Sequence, residues 1–99
     1  MIEIRLSAAA KTDLIDIWST TFETWGPDQA DTYLDDIDRA LNGLAENPLI
    51  GADCSDLIQG VRRLITGRHV AFYQVSDDTI FVIRVLHQSM DMKRHLRGV

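Results

Sequence analysis

Two stretches of helical period meet at Gly26-Pro27, and almost nothing separates them. Upstream, Leu14, Ile17, Trp18, Phe22 and Trp25 recur at offsets of three, four and seven, which puts them on one helical stripe. Downstream, Ala30, Tyr33, Leu34, Ile37, Leu41 and Leu44 do the same, with Asp28, Asp31, Asp35 and Asp38 on the other face. Gly26 fits the stop of the first helix and Pro27 the start of the second. A link of about two residues forces an antiparallel helical hairpin, with both stripes turned to one core. Ser7 is a good N-cap ahead of Ala8-Ala9-Ala10. The second helix is expected over about Asp28–Glu46, and Asn47-Pro48 ends it.

Strand-like runs flank this hairpin. Ile2-Glu3-Ile4-Arg5-Leu6 alternates apolar and charged residues, the period of a half-buried strand. Residues 48–59 carry Pro48, Gly51, Asp53, Ser55 and Asp56 without a period, and read as a surface loop. Three strands are then expected, about Val61–Thr66, His69–Val75 and Thr79–His87, with tight turns at Gly67-Arg68 and Ser76-Asp77-Asp78. The last, nearly continuous in apolar and β-branched residues, is expected inside the sheet. Asp91 is placed to cap a short turn over Met92–Leu96. The order β-α-α-β-β-β, with helices segregated from an antiparallel meander, gives an α+β fold. Residues 1–99 are expected to form one domain around one core.

The charge is divided unevenly. Residues 1–61 hold three basic and twelve acidic side chains, whereas residues 62–99 hold seven basic and three acidic ones. A basic region within an acidic chain sets up a local field for a negative partner. The bland alternative is that the acids solvate two helices and the bases decorate strands. One cysteine, Cys54, rules out a disulfide within the chain and suits a reducing compartment. The N-terminus lacks the pattern of a signal peptide, and no apolar run approaches the length of a bilayer span. A cytoplasmic protein is expected, with no membrane partner.

Few motifs point to chemistry. His69, His87 and His95 lie outside zinc-ligand spacings, and no glycine-rich phosphate loop is present, so neither metal nor cofactor is expected. Asp35-Asp36 and Asp77-Asp78 are better explained by helix solvation and turn chemistry than as paired catalytic acids. Nothing resembles the strained elbow of a nucleophilic serine. What remains is a set of basic residues with histidine and aromatic neighbours: Arg62, Arg63, Arg68, His69, Tyr73, Arg84, His87, Lys93, Arg94, His95 and Arg97. Such a set suits a phosphate backbone, an acid–base ribonuclease, or an Arg- and Tyr-rich protein-binding face. Residue chemistry alone leaves these three open.

The element order, together with the strings YLDDIDRALNGLAENPLIG (33–51), GRHVAFYQV (67–75) and VIRVLHQSMDMKRHL (82–96), resembles the ParE branch of the RelE/ParE toxin superfamily. The resemblance covers essentially the whole chain, and its closing Arg-Val-Leu-His, Met-Asp and Arg-His-Leu are its most specific part. It implies the toxin of a type II toxin–antitoxin pair, neutralised by a ParD-like antitoxin and, when free, inhibiting DNA gyrase. RelE-like relatives instead cut messenger RNA on the ribosome, which is the alternative activity; a non-toxic binding module on the same fold is a third reading.

The ribonuclease pattern is not matched. Val70 stands where a catalytic arginine precedes the strand tyrosine, Gln88-Ser89-Met90-Asp91 replaces a basic stretch, no tyrosine follows Tyr73, and His95 stands near the expected C-terminal tyrosine. No catalytic residue is therefore assigned. Antitoxin contacts are expected at Arg62, Arg63, Arg68 and Arg84, and target contacts at Tyr73, His87, Met90, Lys93, Arg94, His95 and Leu96. Direct DNA binding by this chain alone is not expected. Arg62 and Arg63, adjacent in a strand, must point to opposite faces.

Overall fold

The computed structural model describes residues 2–96. Eight elements follow in chain order: β1 (Glu3–Leu6), α1 (Ala8–Trp25), α2 (Pro27–Gly43), β2 (Ala52–Asp53), β3 (Arg62–Thr66), β4 (His69–Ser76), β5 (Thr79–His87) and α3 (Met92–Leu96). The strands form one sheet in the order β1-β5-β4-β3-β2. β1 runs parallel to β5, and the other neighbours are antiparallel. The fold is α+β, as the patterning implies. The loop expected over 48–59 contains an extra two-residue strand, β2, which covers only Arg62 and Arg63 of β3. Two residues are too few to show a period, so β2 has no signature in the sequence.

Local chemistry explains the helix ends. The Ser7 hydroxyl oxygen accepts a hydrogen bond from the Ala10 amide at 2.9 Å and donates to the Ile83 carbonyl at 2.6 Å. One side chain thus caps α1 and pins it to β5. Gly26, at φ +87°, ends α1 by donating its N–H to the Phe22 carbonyl, and Pro27 opens α2 directly. α2 stops at Gly43, earlier than expected, and hydrogen-bonded turns carry the chain on to Asn47.

The sheet has a core on each face. On the helix side, Ala10, Ile17, Ile37, Leu41 and Leu44 pack on Ala71, Tyr73, Ile80, Val82 and Val85. On the other side, Val70, Phe72, Ile83 and Leu86 are covered by Cys54, Val61 and Leu96, with Leu57, Ile58 and Met92 around them. Burying a side chain such as Phe72 or Leu86 contributes about 1.5–3 kcal/mol. β5, flanked by β1 and β4, is interior, and its cores on both faces explain its unbroken apolar run.

The α1 stripe departs from its expected role. Ala10 and Ile17 are buried and Leu14 packs on the core, but Trp25 is 72% exposed and Phe22 43%. The buried line continues through the half-buried Thr21, whose hydroxyl donates to the Ile17 carbonyl. Phe22 lies about 100° round the helix from Thr21 and so turns outward.

A bulge in β5 resets the facing of its last residues. From Ser76↔Thr79 to Tyr73↔Val82 the β4–β5 register is regular; then Phe72 pairs with Arg84, which leaves Ile83 as an extra residue. Beyond the bulge Val85 takes the helix-side position that residue 84 would otherwise hold, and His87, instead of Leu86, stands opposite His69.

Candidate functional site

The arginines fall on different surfaces. Arg62 points to the helix side and donates to the Gly51 carbonyl at 2.7 Å, bracing the chain that enters β2. Arg63 lies on the opposite side, is exposed, and pairs across the ladder with Phe72. Arg68 is exposed in the β3–β4 turn, with its backbone N–H given to the Tyr33 hydroxyl at 3.0 Å. Arg84 does not fit the expected role of meeting a partner's carboxylate. Its Nε and Nη2 each bond the Asp13 carboxylate at 2.8 Å, and its Nη1 bonds the His95 carbonyl at 3.3 Å. The hydrogen bonds that it donates to the Asp13 carboxylate raise the Arg84 pKa still further. Its charge is spent within the chain.

Two expected target contacts are also corrected. Tyr73 is 0% exposed. Its hydroxyl donates to the Pro48 carbonyl at 2.8 Å and accepts from the Gly51 N–H at 2.9 Å, so it fastens the loop leaving α2 to the sheet. Leu96 is buried in the core opposite the helices. Met90, Lys93 and Arg94 are exposed, and His87 and His95 are half-buried. Arg94 receives the cap from Asp91, whose Oδ1 accepts from its N–H at 3.4 Å. Cys54 is buried; its Sγ–H donates to the Val61 carbonyl at 3.2 Å, and burial pushes its thiol pKa up, which suits an inert core residue.

A groove of about 440 Å³ opens between α1 and the ends of β4 and β5. Ile17, Val85 and Met90 supply apolar wall, and Asp13, Asp16, His69 and His87 supply the polar groups. His69 and His87 meet edge to face, with ring centroids 5.1 Å apart. The Tyr33 hydroxyl accepts from the Arg68 N–H and shares a hydrogen bond of 2.6 Å with His69 Nδ1. His87 Nδ1 accepts from the Ser89 N–H at 3.1 Å, with the Ser89 hydroxyl at 2.7 Å. The backbone donor makes His87 Nδ1 an acceptor, which assigns the ring proton of its neutral imidazole to Nε2. Sequence reasoning placed His69 and His87 in the basic set without pairing them, because the bulge that aligns them leaves no periodic trace. Among the described residues no group of three His, Cys, Asp or Glu side chains is placed to hold a metal.

This pairing gives a pH prediction. Burial, and then the neighbouring His87, lowers the His69 pKa from its ordinary value. The unfolded chain therefore binds a proton that the folded chain resists. Stability is expected to fall as pH drops through about 6.5, and the loss is complete below the folded-state value. Thermal melts across pH should show the decline in the parent and a flatter profile in His69→Gln. An identical slope in the variant would remove His69 as the source.

The fold and this surface can be set beside known proteins. The family described as "ParE toxin of type II toxin-antitoxin system, parDE" matches residues 4–92. This chain belongs to that family. Toxin ParE1 of Mycobacterium tuberculosis is 46% identical over 92 residues, covering 92% of this chain and 94% of that protein. Toxin ParE1 of Caulobacter vibrioides is 42% identical over 92 residues, covering 93% and 95%. Among solved structures, one from a chromosomal ParDE system of P. aeruginosa superposes with a TM-score of 0.78 at 24% identity, covering 88% of this chain and 96% of that one. A chain of the M. tuberculosis RelBE2 toxin–antitoxin complex gives 0.67 at 20% identity, covering 87% and 96%. The fold is thus shared with a chain of a RelBE complex, and fold alone does not assign an activity. No helix among the described residues of this ParE family member is long and apolar enough to cross a membrane.

Proposed function

We propose that all of this chain acts as one cytoplasmic toxin domain, held by a ParD-like antitoxin and, when released, inhibiting DNA gyrase and so DNA replication. The observation that carries this reading is the ParE family match over residues 4–92. The surface offers what an antitoxin needs. β2 pairs only with Arg62 and Arg63, so among the described residues the outer edge of β3 over residues 64–66 has no neighbouring strand. An extended segment can add there, with its carboxylates reaching Arg63 and Arg68. Lys93, Arg94, Met90 and His87 stay outside that edge and make up the proposed target surface.

The position of Tyr73 favours recognition over catalysis. A catalytic tyrosine must present its hydroxyl to substrate, whereas this one is buried and occupied at both its donor and acceptor sides. The groove supports a second reading, ribosome-dependent cleavage of messenger RNA, because His87 has its Nδ1 fixed and its Nε2 available for proton transfer.

Expression of the chain alone is expected to arrest growth, and co-expression with the product of the adjacent reading frame to relieve the arrest. Transcripts should stay intact throughout. Ribosome-dependent cleavage lost in His87→Ala or His95→Ala would instead establish the ribonuclease. Arg63→Glu with Arg68→Glu is expected to weaken the antitoxin complex by about tenfold or more, read by titration calorimetry. Unchanged affinity would remove both arginines from the interface.

A further inference from the structure

β1 bounds the sheet at the end away from β3, and among the described residues its only strand neighbour is β5. The pairing is parallel, with Glu3 opposite Thr79 and Leu6 opposite Val82. The Glu3 N–H donates to the Asp78 carbonyl at 2.8 Å, and the Ser7 N–H to the Val82 carbonyl at 2.9 Å. Backbone groups alternate along a strand, so Arg5 also faces β5, whereas the N–H and C=O groups of Ile2, Ile4 and Leu6 face outward. Such a row is a template for a further strand. A hollow of about 350 Å³, lined by Ile4, Arg5, Leu6 and Lys11, opens beside it.

Ile2, Ile4 and Leu6 pack against the helix-side core, and Glu3 and Arg5 stand exposed on the other face. The two charged groups meet within the chain at 3.2 Å. The run Ile2-Glu3-Ile4-Arg5-Leu6 is complementary to its own reverse. Laid antiparallel on a second copy about Ile4, it sets Glu3 opposite Arg5 and Ile2 opposite Leu6, twice over. The backbone suits the same register. Ile4 opposite Ile4, and Ile2 opposite Leu6, fall at positions where the outward groups exchange N–H···O bonds in pairs. Glu3 and Arg5 fall between them, at positions where facing Cα atoms stand about 4.5 Å apart and side chains come closest. Neighbouring registers are disfavoured: about Glu3 the glutamates face each other, and about Arg5 the arginines do.

We propose that β1 is a self-association edge, on which a second copy of this chain adds its own β1 antiparallel about Ile4. The two five-stranded sheets then run into one, with the helices of both copies on the same face. The contact is isologous and closes at two copies. Across the axis the Glu3 and Arg5 charges alternate in sign, and this complementarity selects a second copy over a strand of unrelated sequence. Two features keep the contact weak. The net charge of −5 opposes association, and Lys11 beside the hollow is an edge lysine of the kind that resists indiscriminate strand addition. So short a strand supports a reversible dimer, with a dissociation constant on the order of tens of micromolar. The β3 end of each sheet stays outside this contact, so dimerisation and the antitoxin contact proposed there are compatible.

Sedimentation velocity of the full antitoxin-free chain across the micromolar range tests this. The parent is expected to pass from monomer to dimer as concentration rises. Glu3→Arg and Arg5→Glu each turn both facing pairs from attractive to repulsive, and each is expected to weaken the dimer about tenfold or more. Glu3→Arg should do so although it lowers the net negative charge, which by itself eases association. The two reversed chains are complementary to each other, so their equal mixture is expected to dimerise at concentrations where neither does alone. Both should melt like the parent, because the pair they alter is exposed, at 66% for Arg5 and 59% for Glu3. A parent that stays monomeric throughout, or a dimer indifferent to both reversals, would overturn the proposal. Failure of the two reversed chains to combine would overturn the pairing about Ile4. A monomeric parent whose complex with the product of the adjacent reading frame is weakened by Glu3→Arg would assign the edge to that partner instead.

Discussion

Asp13→Ala is expected to destabilise the folded chain by about 3 kcal/mol, because it leaves Arg84 half-buried with no counter-ion. The pair is bidentate and sheltered, with side-chain exposures of 21% for Arg84 and 11% for Asp13. The carboxylate does more than neutralise a charge. β1 ends at Leu6, opposite Val82, so among the described residues the later part of β5 has no strand on that side. There Asp13 Oδ2 accepts the Val85 N–H at 3.0 Å and stands in for the missing neighbour. Arg84 in turn reaches the His95 carbonyl and ties α1 to α3 through β5. Denaturant unfolding should show the loss, and in a domain of this size it corresponds to a Tm drop of roughly 12–24 °C. Arg84→Met should cost less than Asp13→Ala, since it removes a charge and leaves the Val85 N–H paired. Equal small losses in both variants would mean that the pair is solvated in practice.

Gly51→Ala is expected to be at least as damaging as Asp13→Ala. A Cβ at residue 51 would stand 2.5 Å from the Tyr73 hydroxyl and 2.7 Å from the Arg63 carbonyl oxygen. Both neighbours are held in the sheet, so neither can give way cheaply. The chain would have to lift off β3, taking with it the Gly51 N–H bond to Tyr73 and the Arg62 bond to the Gly51 carbonyl. Tyr73→Phe tests the same clamp from the other side. It strands the Gly51 N–H and the Pro48 carbonyl, and is expected to cost about 2 kcal/mol. Its effect on antitoxin binding should be no more than its effect on stability explains. A full loss of target inhibition in a Tyr73→Phe protein of unchanged stability would return Tyr73 to the functional surface.

Tyr73 and Arg84 also show where sequence reasoning stops. The hairpin was legible because Gly26-Pro27 carries its own chemistry, and the meander because its two-residue turns sit between runs of clear period. The partners of Tyr73 lie 22 and 25 residues away, in the aperiodic stretch after α2. The partner of Arg84 lies 71 residues away on α1. Nothing local distinguishes an arginine awaiting a partner from one already satisfied. The bulge at Ile83 hides the rest. It turns Arg84 out of the regular register and brings His87 opposite His69, and one extra residue in an apolar run leaves no pattern to read. The α1 stripe fails differently. Its period is right, but period gives a face, and the width of that face decides which residues the core can take. Ile17 was taken, whereas Phe22 and Trp25 were left outside.

The proposed antitoxin and target surfaces therefore rest on residues that, among the described ones, form no ion pair: Arg63 and Arg68 beside the open edge of β3, and the strand-end group with Lys93 and Arg94. On the proposed function the free chain acts by binding gyrase, with no catalytic step. A supercoiling assay with purified gyrase and micromolar antitoxin-free chain tests this most directly. Inhibition that is reversed by adding the antitoxin is the expected result. Full supercoiling activity and no gyrase binding at that concentration would contradict it.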